Sequence, residues 1–323
     1  MLKVYGAEAQ VQIMLSLSLE PFATLDEPAA GEIVAFDVDY TGTPCITTAT
    51  RPLDSWVEGG GGAKFVKTQG QAAQGYRVYL MLESSATLMA SISREAFNIH
   101  HTQPLPDGRV LLVCGRCHYN AGKPEKNGRL YSSAGELLHE ITLGDGIESV
   151  QADKSGRIWT SYFDEGVFGN FGWSQPLGSP GLVAWSPEGS KLYEYCPLHG
   201  LDHICDCYAM NVTNEDVWTC YYTEFPLVQI RDSKVVSYWQ MPLSGSHAFA
   251  VQRSHALFAG GYNEQNHYRL FDLRDGKVKL LRECKVRDRE GQPIHADRTI
   301  GRGDSIFMLR GRDVFRLSIE QVL

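Results

Sequence analysis

The sequence predicts an all-β fold, a β-propeller of six blades, and its repeat structure is the main reason. After residue 95 a unit of four short strands recurs, most clearly in "GIESVQADKSGRIWTSYFDEG" followed by "GLVAWSPEGSKLYEYCP". Between the second strands of successive units, marked by Val110, Ile158, Val217, Leu257 and Ile306, the spacings are 48, 59, 40 and 49 residues. Such a period with four strands per unit is typical of propellers.

The turns support the same interpretation. Asp107-Gly108, Ser155-Gly156, Glu188-Gly189 and Asp275-Gly276 each separate two β-rich runs. Tight hairpins need residues that adopt positive φ, and glycine does so at low cost. No long amphipathic helix competes with the strand pattern.

The blades can be assigned in chain order. Residues 32–93 are predicted to form the first blade, with "EIVAFDVDYTG" and "YRVYLMLESSATLMASI" as strands, and five blades follow from residue 97. The alternating "VQIMLSLSL" near the start is left over. We expect the segment 10–20 to pair with strands within 306–319 and close the ring, which leaves no open sheet edge. Residues 1–323 then form a single domain, and a ring of seven blades is the alternative.

Composition limits the function. The 323 residues are 43% hydrophobic and 21% charged, with 30 Lys and Arg against 38 Asp and Glu, for a net charge of −8. No run of like charges forms a basic patch, which disfavours nucleic-acid binding. The first residues lack the apolar region of a signal peptide, and no window reaches the length of a membrane span. We therefore expect a soluble, cytoplasmic protein without a membrane partner.

The stretch "LLVCGRCHYN" contains C-x-x-C-H, a pattern found in c-type cytochromes and in zinc sites. If it lies on a regular second strand, Cys114 and Cys117 point to opposite faces and cannot share a haem or a metal. "CPLHGLDHICDC" groups further Cys and His residues, but its spacing matches no standard zinc motif. We expect most of the eight cysteines to be reduced and buried. "GRGDS" at 301–305 is predicted to be a hairpin turn.

Polar residues recur at one end of the predicted blades. The starts of five innermost strands offer His101, Glu148, Asp206, His247 and Asp297. The connections that leave the second strands offer Asp164, Glu165, Tyr222, Glu224, Tyr262 and Glu264. Both sets should lie on one face, around the central channel. They form either a ring of structural hydrogen bonds or an acidic, Tyr-rich binding face.

"SGRIWTSYFDEGVF" resembles the repeats of six-bladed propellers of the SMP-30/gluconolactonase, NHL and sensor-propeller groups, and the rhythm is also WD40-like. Around "DCYAMNV" the chain is similar to uncharacterised bacterial propeller proteins. The resemblance lies in the repeat rhythm over residues 97–319 and implies a fold rather than a reaction.

Two functions remain open. The first is a non-enzymatic binding module whose acidic, Tyr-rich face holds a protein or peptide partner, for example as an immunity-type inhibitor of a basic toxin. It needs no cofactor. The second, implied by the SMP-30 resemblance, is a hydrolase or lactonase dependent on a divalent metal. Glu148, Asp206 and Asp297 are its candidate ligands, with His101 or His247 as the general base. No G-x-S-x-G supports nucleophilic catalysis.

Overall fold

The computed structural model of the chain describes residues 14–26, 31–53, 56–58 and 64–323. It confirms the predicted six-bladed β-propeller. Each blade has four antiparallel strands, and in blades 1 to 5 these follow one another in chain order from the innermost strand outward. Blades 5 and 6 each also take a strand from the N-terminal segment. Among the described residues, neither α-helix is long and apolar enough to cross a membrane.

The strands and helices of the first half follow in chain order. Two short strands come first: β1, Leu15–Ser18, and β2, Ala23–Thr24. Blade 1 comprises β3 (Glu32–Val38), β4 (Pro44–Ala49), the hairpin β5 (Trp56–Glu58) and β6 (Lys64–Val66), then β7 (Gln69–Leu82) and β8 (Ser85–Phe97). Blade 2 comprises β9 (His101–Pro104), β10 (Val110–Val113), the hairpin β11 (Tyr119–Asn120) and β12 (Lys123–Pro124), then β13 (Gly128–Tyr131) and β14 (Leu137–Ile141). Blade 3 comprises β15 (Ile147–Ala152), β16 (Ile158–Tyr162), helix α1 (Asp164–Phe168), β17 (Leu182–Trp185) and β18 (Lys191–Glu194).

The second half repeats the pattern. Blade 4 comprises β19 (Asp206–Val212), β20 (Asp216–Tyr222), β21 (Pro226–Arg231) and β22 (Lys234–Gln240). Blade 5 comprises β23 (Ala248–Gln252), β24 (His255–Ala259), β25 (Tyr268–Asp272), a 3₁₀ turn (Arg274–Gly276) and β26 (Lys279–Arg287). Blade 6 comprises β27 (Arg298–Arg302), β28 (Ser305–Arg310) and β29 (Asp313–Ser318), followed by helix α2 (Ile319–Val322).

An N-terminal strand closes the ring, as predicted, but the predicted pairing is wrong for the segment around residue 16. The fourth strand of blade 6 is β2, in which Ala23 pairs with Val314 and Thr24 with Asp313. The alternating strand β1 instead pairs in parallel with the end of β26 and becomes a fifth strand of blade 5. The outer edges of blades 5 and 6 both accept a strand, and alternation alone does not distinguish between them. Residues 10–13 of the predicted segment lie outside the described residues.

The core lies between the blades. Among the described residues there are six apolar clusters, and each combines residues of two neighbouring blades. In β10, Leu111 and Val113 pack toward blade 3, whereas Val110 and Leu112 pack toward blade 1. Because both faces of a middle strand are buried, the sequence there is continuously apolar rather than alternating.

The prediction that the C-x-x-C-H stretch lies on a strand is wrong. Strand β10 ends at Val113, and the two cysteines follow in the connection. The Cys114 thiol donates to the Thr68 carbonyl oxygen at 3.5 Å, and the Cys117 thiol donates to the Glu125 carbonyl oxygen at 3.4 Å. The two side chains thus have separate backbone partners. Six of the eight cysteines are buried and all eight are free, so most of them pack as predicted.

The amide side chain of Gln151 crosses the channel near the ends of the innermost strands, away from the end where they begin. Gln151 of blade 3 donates to the Met210 carbonyl oxygen at 3.2 Å and to the Gly301 carbonyl oxygen at 3.1 Å, on blades 4 and 6. Its own amide oxygen accepts from the Val212 backbone N–H at 2.8 Å and from Arg302 at 3.0 Å. Because these bonds join blades on opposite sides of the ring, a ligand can enter the channel only as far as this floor.

Candidate binding site at the channel mouth

The channel mouth is the end of the channel where the innermost strands begin and the second strands end. It is formed by the starts of β3, β9, β15, β19, β23 and β27 and by the connections that follow the second strands. The structure places all eleven predicted face residues in these segments: His101, Glu148, Asp164, Glu165, Asp206, Tyr222, Glu224, His247, Tyr262, Glu264 and Asp297. Their binding role remains a prediction.

Three innermost strands begin with a β-bulge at the same position. In blade 1 the extra residue is Val34, and in blades 3 and 4 it belongs to the candidate site. In blade 3, Ile147 pairs with Tyr162 and Ser149 with Ser161, which leaves Glu148 as the extra residue. In blade 4, Cys207 pairs with Tyr221 and Ala209 with Cys220, so that Tyr208 is the extra residue. A bulge changes the direction of the side chain that it carries. The Glu148 carboxyl and the Tyr208 ring therefore depart from the regular alternation of their strands.

His247 connects these two side chains. It precedes the innermost strand of blade 5, and its Nδ1 lies 3.9 Å from Glu148 Oε1. Its ring stacks on Tyr208, with 4.9 Å between ring centroids and 23° between planes. Burial lowers the pKa of His247, and a hydrogen bond to the Tyr208 backbone partly opposes this effect. The imidazole is therefore neutral near pH 7.

Aromatic side chains line the blade 4 and blade 5 side of the mouth. Tyr208, Phe225 and Tyr262 contact one another edge to face, with centroids 5.0 to 5.9 Å apart. The hydroxyls of Tyr208 and Tyr262 are 2.7 Å apart and hydrogen-bonded. A Cβ at Gly245, whose φ is +77°, would lie 2.5 Å from the Tyr262 ring, so glycine is required there. Tyr222 adds a further ring against Phe225.

Two carboxyl groups of the mouth have raised pKa values. Burial, followed by repulsion from Asp206, raises the pKa of Glu148 to about 7. Burial, followed by repulsion from Asp164, raises the pKa of Asp206 to about 6. Within the part of the chain that the structure describes, no Lys or Arg side chain lies within 4.0 Å of either carboxyl group. Each carboxylate thus loses solvation without gaining a fixed positive partner.

Other predicted acidic residues are already engaged. Glu165 pairs with Arg116 at 2.6 Å, and Glu264 forms two hydrogen bonds to Arg269 at 2.6 and 2.8 Å. Asp297 accepts the Gly311 backbone N–H at 2.7 Å. These contacts hold connections of the mouth in place, so the three carboxylates are less available to a ligand than Glu148 and Asp206.

Asp164 and Glu224 are exposed at the rim of the mouth. His101 is the first residue of β9, and its pKa is lowered to about 4 by burial and by the nearby Arg298. A hydrogen bond to the Ile147 backbone partly opposes this shift. At neutral pH this ring is uncharged and bridges blades 2 and 3.

Tyr208, Phe225 and Arg298 were not predicted from the sequence. Asp206 was predicted to be the equivalent of Glu148, whereas the pairing shows that Tyr208 holds that position. Glu148 lies four residues before Ala152, which pairs with Ile158, and Tyr208 lies four residues before Val212, which pairs with Val217. The sequence signal for this difference is the length of the first hairpin: Ala152 and Ile158 are six residues apart, whereas Val212 and Val217 are five residues apart.

The predicted metal ligands do not form a metal centre. Among the described residues, no group of three or more His, Cys, Asp or Glu side chains is arranged to hold a metal ion. The carboxyl group of Asp297 accepts a hydrogen bond from Gly311, in the turn between β28 and β29 of the same blade. The set of Glu148, Asp206 and Asp297 therefore does not fit the divalent ion that the hydrolase interpretation requires.

These features define a six-bladed β-propeller with an acidic and aromatic channel mouth. The YxzG family matches residues 193–317, which is less than half of the chain. No curated protein matches. The predicted fold-level resemblance to gluconolactonase and WD40 propellers is confirmed.

Among similar solved structures is a gluconolactonase from Xanthomonas campestris, 12% identical, with 95% of this chain and 97% of that chain covered and a TM-score of 0.43. Another is the WD40 domain of Neurospora crassa Pan2, 8% identical, with 94% and 96% covered and a TM-score of 0.44.

Proposed function

We propose that the protein is a non-enzymatic binding module whose channel mouth holds a positively charged segment of a protein or peptide partner. The observation that carries this proposal is the pair Glu148 and Asp206. Their carboxyl groups lie on neighbouring blades, have pKa values raised by burial, and have no Lys or Arg partner among the described residues. A lysine or arginine of the partner would supply the missing counter-charge.

Charge supports a basic partner in two ways. A carboxylate that has lost part of its solvation binds a cation more strongly than one in bulk water. The net charge of −8 also favours the approach of a basic molecule at long range.

Exposed aromatic side chains extend the surface beyond the carboxyl groups. Tyr222, Tyr262 and Phe168 of helix α1 are 46%, 52% and 69% exposed. Tyr side chains are enriched at protein interfaces because they combine a large apolar area with a polar end. Carboxyl groups beside such rings suit a partner segment that mixes basic and apolar residues.

One form of this function is that of an immunity-type protein that neutralises a basic toxin in the bacterial cytoplasm. The argument from charge applies equally to other basic protein partners. Catalysis is not part of the proposal, since the mouth does not assemble the ligand set of the metal-dependent alternative.

The test is calorimetric titration of the protein with a lysine-rich peptide that also contains tyrosine. The comparison peptide carries Nε-acetyl-lysine at every lysine position. We expect Glu148→Gln and Asp206→Asn each to weaken binding about tenfold, the equivalent of ~1.4 kcal/mol. Glu136→Gln, which removes an exposed carboxylate from a turn at the opposite end of blade 2, is the matched control and should bind like wild type. Equal binding of the acetylated peptide would contradict the proposal.

A further inference from the structure

The channel mouth also has a basic side. Arg298 is the first residue of β27, the innermost strand of blade 6. The six inter-blade clusters show that consecutive blades are neighbours and that blade 6 also contacts blade 1. In a ring of six, blade 6 therefore lies opposite blade 3, which carries Glu148. The acidic and basic side chains belong to opposite sides of the mouth.

The Arg298 guanidinium extends toward blade 1. Its Nη2 donates to the Val34 carbonyl oxygen at 2.7 Å. The charges of Asp37 and Asp297 interact with Arg298 without an ion pair. Within the described ranges no carboxylate lies within 4.0 Å of its guanidinium. Arg298 has an exposed surface, although burial of part of its guanidinium lowers its pKa, so its other N–H groups can reach a ligand from the solvent side.

A second unused donor lies near Arg298. His100 Nδ1 accepts the Gly115 backbone N–H at 3.0 Å, while His100 Nε2 is buried without a hydrogen-bond partner among the described residues. Burial lowers the pKa of His100 to about 3, with smaller contributions from His101, Arg298 and Arg116, so the ring is neutral at pH 7. A neutral imidazole that accepts at Nδ1 carries its proton at Nε2. This N–H is a buried donor without an acceptor among the described residues, and at that depth a ligand reaches it only after a side-chain movement.

The closed floor of the channel decides what can enter. The hydrogen bonds of Gln151 to Met210 and Gly301 join blades 3, 4 and 6 below the mouth. A peptide therefore cannot pass through the channel, and only a side chain or a chain end can reach its centre. A chain end that carries both charges would satisfy both sides of the mouth.

We propose that the mouth recognises the free C-terminus of a partner chain that ends in lysine or arginine. This inference rests on the proposed function and names the part of the partner that binds. The basic side chain lies against Glu148 and Asp206, and the terminal carboxylate lies against Arg298. In an extended C-terminal lysine the ammonium and the carboxylate are roughly 7 Å apart, from standard bond lengths, so one residue presents separated charges.

The experiment measures affinities of three peptides of one sequence ending in lysine. The first has a free carboxylate, the second has an amidated C-terminus, and the third has a free carboxylate and a terminal Nε-acetyl-lysine. With wild-type protein, amidation and acetylation should each weaken binding about tenfold. With Arg298→Gln the amidation penalty should fall to about twofold while the acetylation penalty persists, and Glu148→Gln should show the reverse. Arg282→Gln, which changes an exposed arginine of β26, the fourth strand of blade 5, is the control and should keep both penalties.

The outcomes separate this inference from the proposed function. If amidation has no effect on the wild type while acetylation still weakens binding, C-terminal recognition is wrong and the proposed function stands. If neither modification matters, both are wrong. Thermal unfolding shows whether Arg298→Gln is folded. Arg298→Lys, which retains the charge, should keep most of the amidation penalty, and a complete loss of the penalty there would also count against the inference.

Discussion

Glu148 and Tyr208 occupy the same position in neighbouring blades, and each is the extra residue of a β-bulge at the start of an innermost strand. The two bulges place a carboxyl group and a phenol ring side by side at the channel mouth. His247 approaches both, at 3.9 Å from Glu148 and stacked on Tyr208 at 4.9 Å between centroids. The same bulge occurs at Val34 of blade 1, and in blades 3 and 4 it builds the centre of the candidate site.

The Tyr208 ring should matter more than its hydroxyl. Tyr208→Phe keeps the stacking on His247 and loses only the bond to Tyr262, so we expect affinity for a lysine-rich peptide within about threefold of wild type and stability lower by about 1 kcal/mol or less. Tyr208→Ala removes the ring and should weaken binding by about tenfold. Titration calorimetry and urea unfolding measure the two quantities. Equal affinities for the Phe and Ala variants would show that the ring takes no part in binding.

Affinity for a cationic peptide should rise with pH. The Glu148 and Asp206 carboxyl groups, with pKa values of about 7 and about 6, are mostly protonated at about pH 5 and mostly charged at about pH 8. Binding therefore strengthens across this window and releases protons near its middle. Calorimetry in buffers of different ionisation enthalpy detects that release. The double variant Glu148→Gln, Asp206→Asn should lose most of the pH dependence of the affinity, whereas the control Glu136→Gln should retain it. An unchanged pH dependence in the double variant would show that other groups cause it.

The contribution of Glu148 to stability should change with pH in the direction opposite to the affinity for a cationic peptide. Because the folded-state pKa of Glu148 is about 7, above its usual 4.5, the folded protein binds more protons than the unfolded chain between these values. The Glu148 contribution to the free energy of unfolding therefore falls as pH rises through this window and is level above it. Glu148→Gln removes this contribution. In urea unfolding, the free energy of unfolding of the variant should therefore rise relative to that of the wild type between about pH 5 and about pH 7. Parallel curves for the two proteins would show that Glu148 is not destabilised by burial.

The sequence predicted the blades and the face of the mouth because both follow from repeat rhythm and strand direction. It could not identify which carboxylates remain available. Glu165 and Glu264 are neutralised by Arg116 and Arg269, and these pairs depend on how connections fold over the blades. Tyr208 was missed because the hairpin from Val212 to Val217 is one residue shorter than the hairpin from Ala152 to Ile158, so equivalences counted back from the second strand are shifted.

The arginine within C-x-x-C-H should be important for stability. Arg116 forms two hydrogen bonds to Asp145, at 2.8 and 2.9 Å, and their side chains are only 8% and 1% exposed. Asp145→Ala leaves a buried guanidinium with one carboxylate fewer and an unpaired Cys117 backbone N–H, so the free energy of unfolding should fall by about 3 kcal/mol. The control is Asp107→Ala, which breaks an exposed pair with Arg109 and should cost less than about 1 kcal/mol. Similar costs in urea unfolding would refute the structural role.

The floor of the channel should be scaffolding rather than part of the binding site. Gln151→Leu leaves the Met210 and Gly301 carbonyl oxygens, the Val212 N–H and one donor of Arg302 without their partner. Arg302 is itself buried, which lowers its pKa to about 10, so the loss of an acceptor there is costly. We expect the free energy of unfolding to fall by about 3 kcal/mol, against less than about 0.5 kcal/mol for Gln265→Leu at an exposed position. Below its unfolding temperature the Gln151→Leu protein should bind the lysine-rich peptide with wild-type affinity, because the mouth lies above the floor. A large loss of affinity in the folded variant would mean that the ligand reaches Gln151.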